Sequence, residues 1–252
     1  LNPVKGTAGV RLDQTIYQMS DEVIPELTNG EVMELFDTYF KQEGGYPPPE
    51  EEPSADQVTA FRYIIKPKNS MNVDLAVWAN SHLRRKKDLH FMGLVLGPGG
   101  VLQQVEIRGP ASFAEWEAGM KVLRVVVIMF MVAVPANYDY YTRKVKRLYN
   151  RYGPRAWALL YQAEARMRRE HFIRILRLAS TTKPKGFDSE KPWDYVFRAA
   201  ADYRDYWSEE FVEVAQTARL DNKAADREVG TDSAVATGIT LKERTDERGR
   251  EP

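Results

Sequence analysis

The sequence contains no cysteine, and that one absence removes disulfides, thiolate nucleophiles and every Cys-based zinc site. It also suits a reducing compartment, so an intracellular location, cytoplasmic or nuclear, is expected. Histidine is scarce: His82, His90 and His171 are the whole set, and none of them has the i, i+4 partner of a helical zinc site. No Gly-x-Ser-x-Gly elbow occurs. The Gly-rich loop Gly97-Pro98-Gly99-Gly100 lacks the Lys-Ser/Thr pair with which a P-loop handles phosphate and Mg²⁺, so it reads as a hairpin turn. Long apolar runs are missing too. The most apolar stretch, Val125 to Val134, lies between Arg124 and Pro135 and spans roughly 15 Å as a helix, half of a bilayer's hydrocarbon core. A buried core helix is expected there, with no membrane partner. No basic n-region followed by an apolar h-region opens the chain, so no signal peptide is expected. No metal and no cofactor is implied.

What is present supports a folded core. Of 252 residues, 43% are hydrophobic and 11% aromatic, which does not suit wholesale disorder. The net charge is zero, yet it is unevenly spread. Residues 1–56 hold three basic and twelve acidic side chains, residues 111–187 fifteen basic and five acidic, and residues 188–252 ten basic and sixteen acidic. A basic middle between acidic ends either binds a polyanion or is screened by its own flanks.

The pattern along the chain predicts an α+β protein, mainly α, with a small antiparallel sheet and a helical array. Residues 1–46 read as a loose lead-in followed by a short helix, capped by Thr28 with Glu31 three later and stopped by Gly44-Gly45. Residues 47–53, a Pro/Glu run, read as an extended, solvated linker. Residues 54–110 form a small α+β segment. A capping box at Ser54 and Gln57 opens its helix, Val73 to Trp78 alternates like a strand, Arg84-Arg85-Lys86-Lys87 lies in a loop, and Phe91–Leu96 and Val101–Ile107 make a hairpin. Residues 111–220 form the helical array. A third box, Ser112 with Glu115, opens a helix carrying Trp116 and the apolar run to Val134. Helices from about Tyr138 to Tyr152, Pro154 to Ala179 and Pro192 to Leu220 follow, the last re-capped at Ser208. Residues 221–252 lose apolar periodicity and read as a disordered tail.

Two clusters carry the functional argument. Arg143, Arg147 and Arg151 fall at i, i+4, i+8, with Lys144 nearby, and Arg155, Arg166, Arg169 and Arg177 lie within about an 80° stripe of the next helix. Such stripes suit nucleic-acid phosphates, an acidic protein surface including the chain's own ends, or plain solvation. On the apolar side of that same helix stand Glu164, Arg168 and His171. Three polar groups on a core stripe must pair, because an unpaired buried charge is costly. They form either a structural network that fixes the docking of the helix or an acid–base cluster tuned by burial.

Several stretches resemble an expanded family of uncharacterised protist proteins associated with retroelement-like open reading frames. They are Val73-Asp74-Leu75-Ala76-Val77-Trp78, Ile107-Arg108-Gly109-Pro110 with Trp116, Tyr152-Gly153-Pro154 and above all Tyr161-Gln162-Ala163-Glu164-Ala165-Arg166-Met167-Arg168-Arg169-Glu170-His171. The resemblance covers about residues 54–180. It implies a Gag-like or nucleic-acid-associated structural role and assigns no catalytic residue. The Cys/His zinc knuckle of many Gag proteins is missing. The expected function is thus a non-enzymatic structural or self-associating module, associated with RNA or DNA. The alternatives are a scaffold whose basic faces bind acidic protein segments or the chain itself, and an enzyme using Glu164 and His171.

Overall fold

The computed structural model describes residues 9–11, 23–65, 73–75, 78, 89–97 and 100–220. The chain is mainly helical, with small antiparallel sheets, as the periodicity predicts. Strands β1 (Gly9–Arg11) and β2 (Val23–Pro25) pair antiparallel, where a loose lead-in was expected. Helix α1 (Asn29–Glu43) carries the full capping box of Thr28 and Glu31 and ends on Gly44 at φ 76°. Helix α2 (Ala55–Ile64) is boxed in the same way by Ser54 and Gln57. The apolar sides of α1 and α2 meet helix α3 (Phe113–Met129) around Leu27, Tyr39, Val58, Val125 and Met129.

Residues 47–53 are solvated only in part: Pro48, Pro49, Glu50 and Glu52 are exposed, while the ends of the run are held. Pro47 and Pro53 are buried, Glu51 pairs with Lys121 of α3 at 2.8 Å, and just before the segment Glu43 pairs with Arg124 at 3.1 Å. The prolines stiffen the segment, and the buried rings of Pro47 and Pro53 tuck in its two ends. The strand expected at Val73–Trp78 is also absent from the described part. Asp74 accepts from the Trp78 N–H at 2.8 Å, one helical turn, and the apparent alternation reflects the burial of Val73, Leu75 and Trp78. Arg84–Lys87, the loop tip 98–99 and the tail from residue 221 lie outside the described residues.

Strands β3 (His90–Leu96) and β4 (Leu102–Arg108) form the expected hairpin, with Gly93 opposite Val105. The hairpin lies on helix α5 (Trp157–Arg166) because Gly93 has no side chain: a Cβ there would stand 2.6 Å from the Ala158 Cβ. At Gly109, φ 143°, an added Cβ would come closer still to the Tyr161 ring.

Helix α3 stops at Met129 instead of reaching Val134, because Met131 turns to φ 50° and Pro135 opens helix α4 (Pro135–Tyr152). No side chain local to Val134 caps α4. Asp194 does so from the first turn of helix α7 (Pro192–Asp202), accepting from the Val134 N–H at 2.6 Å and from Asn137 Nδ2 at 3.0 Å. Helices α5 and α6 (Phe172–Thr182) are joined by a π-helical turn, Met167–His171. Helix α7 breaks at Tyr203 and resumes as α8 (Arg204–Trp207), a second π-turn (Ser208–Val212) and α9 (Glu213–Thr217). Ser208 therefore re-caps nothing. The break is pinned by the Trp207 indole, which donates to the Ala200 carbonyl at 2.8 Å.

Gly93→Ala should lower stability by about 1–3 kcal/mol, the usual cost of overpacking, measured by urea unfolding. A neutral effect would show that the hairpin can lift from α5 freely.

Candidate functional site

Helix α5 enters the core with Trp157, Leu160 and Tyr161 inward, and that same stripe carries Glu164 inside. Glu164 is 0% and Arg168 2% exposed. Their side chains form a two-pronged ion pair, Nε to Oε1 at 2.6 Å and Nη2 to Oε2 at 2.9 Å. Arg168 Nη1 also donates to the Val73 carbonyl at 2.7 Å, and the Tyr141 hydroxyl of α4 donates to Glu164 Oε1 at 3.2 Å. Three stretches distant in sequence thus converge on one carboxylate and one guanidinium. Burial by itself would lower the Arg168 pKa; the Glu164 charge overrides it, and the pKa stands above the usual arginine value. Burial pushes the Tyr141 and Tyr138 hydroxyls far up, so both remain protonated.

His171, expected within this network, is not part of it. The π-turn of five residues carries about 4.4 residues per turn instead of 3.6, so the helical frame slips by roughly 90° across it. His171 swings to a partly buried position against Tyr206, ring centres 4.4 Å apart, and Tyr203, 5.8 Å apart. It makes no hydrogen bond to Glu164 or Arg168. Burial, helped by Arg174 and Arg166 and opposed by Glu170 and Glu210, lowers its pKa below the ordinary 6.5.

The same slip divides the expected arginine stripe of residues 155–177. Arg166 pairs with Glu210 at 2.7 Å and Glu170 at 3.6 Å. With Arg169 it lines a groove of about 660 Å³ between the hairpin and α5. Arg177 lines a different cavity of about 790 Å³, beside Phe187 and Trp193. On α4 the row is kept: Arg143, Arg147 and Arg151 are exposed, followed by exposed Arg155 in the 3₁₀ turn Pro154–Ala156. Arg151 lies over the Tyr152 ring at 5.3 Å, and Arg147 Nε reaches the Arg143 carbonyl at 3.4 Å. Lys144 is partly buried. Burial first, then Arg147 and Arg204, lower its pKa against the pull of Asp202. Among the described residues no group of His, Asp and Glu is arranged to hold a metal ion, and no helix is long and apolar enough to cross a membrane.

Sequence reasoning did not anticipate Tyr141 and Val73 as partners of the pair, nor Glu210 as the partner of Arg166. Their only sequence signal is a hydroxyl on the apolar stripe of α4 for Tyr141, and none for the other two. Compared with protein-family models, curated proteins and solved structures, the chain matches none.

Glu164→Ala should destabilise the fold by about 3–5 kcal/mol, because it strands a buried guanidinium. Glu164→Gln should cost less, since the amide oxygen still accepts from Arg168. Thermal unfolding of both beside wild type checks this, and wild-type melting for both would refute a structural pair. His171 gives a separate expectation. Its folded pKa is depressed, so the unfolded state binds more protons as pH falls below about 6.5, and stability present above that value declines there. His171→Gln should flatten the melting temperature against pH between about 6.5 and 5. An unchanged profile would mean that His171 titrates normally.

Proposed function

We propose that this chain is a non-enzymatic structural module that associates with nucleic acid through the arginine row of α4. One observation carries the reading: Arg143, Arg147, Arg151 and Arg155 are exposed, and among the described residues none of the four ion-pairs with a carboxylate. Other cations of the basic middle are neutralised locally, Lys146 by Glu117, Lys121 by Glu51 and Arg124 by Glu43 and Asp139. Successive arginines of the row stand about 6 Å apart along the helix axis, a spacing that suits neighbouring phosphates.

The non-enzymatic part rests on the closed Glu164–Arg168 pair. Its carboxylate is sealed from solvent and accepts from Arg168 and Tyr141, and among the described residues no histidine bonds to it. Self-association is the companion property that the Gag-like resemblance suggests. A second reading, an acidic protein partner, is favoured by Glu43 and Glu51, since the chain's own acidic residues already occupy basic side chains of α3.

Replacing Arg143, Arg147 and Arg151 together by Gln should weaken binding of a labelled single-stranded RNA and reduce its salt slope by up to about 3. Unchanged affinity at matched ionic strength removes the row from the reading. Displacement by an acidic peptide with no RNA binding moves the row to the second reading. Column-based mass measurement with and without RNA reports assembly alongside.

A further inference from the structure

We propose that the cleft between α3 and α4 takes one unstacked base of a single-stranded RNA whose phosphates lie on the arginine row, an inference that rests on the nucleic-acid reading of that row. The two helices run antiparallel and are braced twice across the cleft, by Arg124 with Asp139 at 2.8 Å and by Lys146 with Glu117 at 2.8 Å. On α3 the braces stand seven residues apart, about 10 Å along the axis. Between them lies a cavity of about 340 Å³, long enough for one ring system and too short for a stacked run. Lys121 and Thr142 face each other across it, and Trp116, Met120 and Tyr138 close the bottom. The segments that form it, residues 43–65 and 113–146, lie wholly within the described residues.

Charge gives the first support. Of the four cations that line the cleft, Lys121 pairs with Glu51, Arg124 with Asp139 and Lys146 with Glu117. Only Arg143 among them has no carboxylate partner, and it is exposed at the mouth. Arg143 is also the first arginine of the α4 row. A strand held by the row therefore passes the opening, and the guanidinium plane of Arg143 can cover one face of a base turned into it.

An idle donor gives the second. Trp116 is 1% exposed, yet its indole N–H donates to no acceptor. Buried donors are almost always paired. A carbonyl on the edge of an inserted base supplies the acceptor that the fold withholds. The Thr142 hydroxyl donates to the Asp139 carbonyl at 3.1 Å, so its lone pairs stay open to an N–H of the same base. A carbonyl beside an N–H is the edge of uracil or guanine. In a duplex that edge is consumed by pairing, so the cleft selects single strands.

The test uses the full chain with labelled octauridylate, the same oligomer lacking its bases, octaadenylate, and a duplex of equal length, all at one salt concentration. Octauridylate should bind about tenfold more tightly than the abasic oligomer or the duplex. It should also shift the Trp116 indole N–H resonance, identified by its loss in Trp116→Phe. Thr142→Phe fills the cleft and should abolish the base-dependent gain while binding the abasic oligomer as wild type does. Should that variant not fold, Thr142→Val removes the hydroxyl alone and should erase the preference for uridylate over adenylate. Arg147→Gln with Arg151→Gln leaves the cleft intact and should weaken the normal and abasic oligomers by the same factor. Equal binding of octauridylate and its abasic form overturns the cleft and leaves the row standing. No effect of the Arg147 and Arg151 pair of changes overturns the row, and the cleft with it. A shift of the Trp116 resonance by an acidic, aromatic peptide but not by octauridylate overturns the proposal as well.

Discussion

A carboxylate and a guanidinium, Glu164 and Arg168, sit in the driest part of this protein, and the helical array is arranged around keeping them satisfied. Taking both from water costs several kcal/mol per ion, and their attraction offsets that only when the geometry is good and the remaining valences are filled. Here the two-pronged contact supplies the geometry, while Tyr141 and the Val73 carbonyl fill the outer valences. Each partner arrives from a different part of the chain. The pair therefore fixes α4, α5 and the Val73 segment relative to one another in a way that apolar packing alone, being non-directional, would not. Around it stand Tyr138, Tyr141, Tyr161 and Phe172, which exclude water and strengthen the pair in turn.

The π-turn that contains Arg168 and begins three residues after Glu164 follows from the same demand. Arg168 must point inward at the carboxylate, whereas α6 must present Phe172 and Leu176 to the core. A continuous α-helix would have carried His171 inward as well, beside a guanidinium. The extra residue in the turn moves the histidine out to the tyrosines and restores an apolar face beyond it. The second π-turn, Ser208–Val212, packs against α5 and brings Glu210 to Arg166.

Much of this was legible in the sequence, and the unread part has identifiable causes. Thr28, Ser54 and Ser112 each accept from the N–H three residues on, as their spacing predicts, because capping depends only on local chain geometry. Even there a non-local detail differs: Glu115 reaches back to the Ala111 N–H, not to that of Ser112. The α+β class, the hairpin and the burial of Glu164 and Arg168 were readable from periodicity. The π-turns and the break at Tyr203 were not, since no Gly or Pro marks them. They are set by tertiary contacts, the Trp207 bond to Ala200 and the docking of Arg168. A stripe drawn at 100° per residue fails as soon as one turn departs from that angle, and His171 and Arg177 were misplaced for that reason.

The fate of the arginines follows the same logic. Arg168 is buried and serves the fold, Arg166 is bound by Glu210 and Glu170 and helps to shape a balanced groove, and the row on α4 keeps its charge. Residue type is constant across all of them, so composition and net charge could not separate their roles. What separates them is the distance to the nearest carboxylate once the chain is folded. The acidic N-terminal segment sharpens that division: Glu43 and Glu51 reach Arg124 and Lys121 of α3 but leave Arg143 to Arg155 unpaired among the described residues. A charge asymmetry along the sequence is thereby converted into a smaller one in space, concentrated where α4 turns into α5.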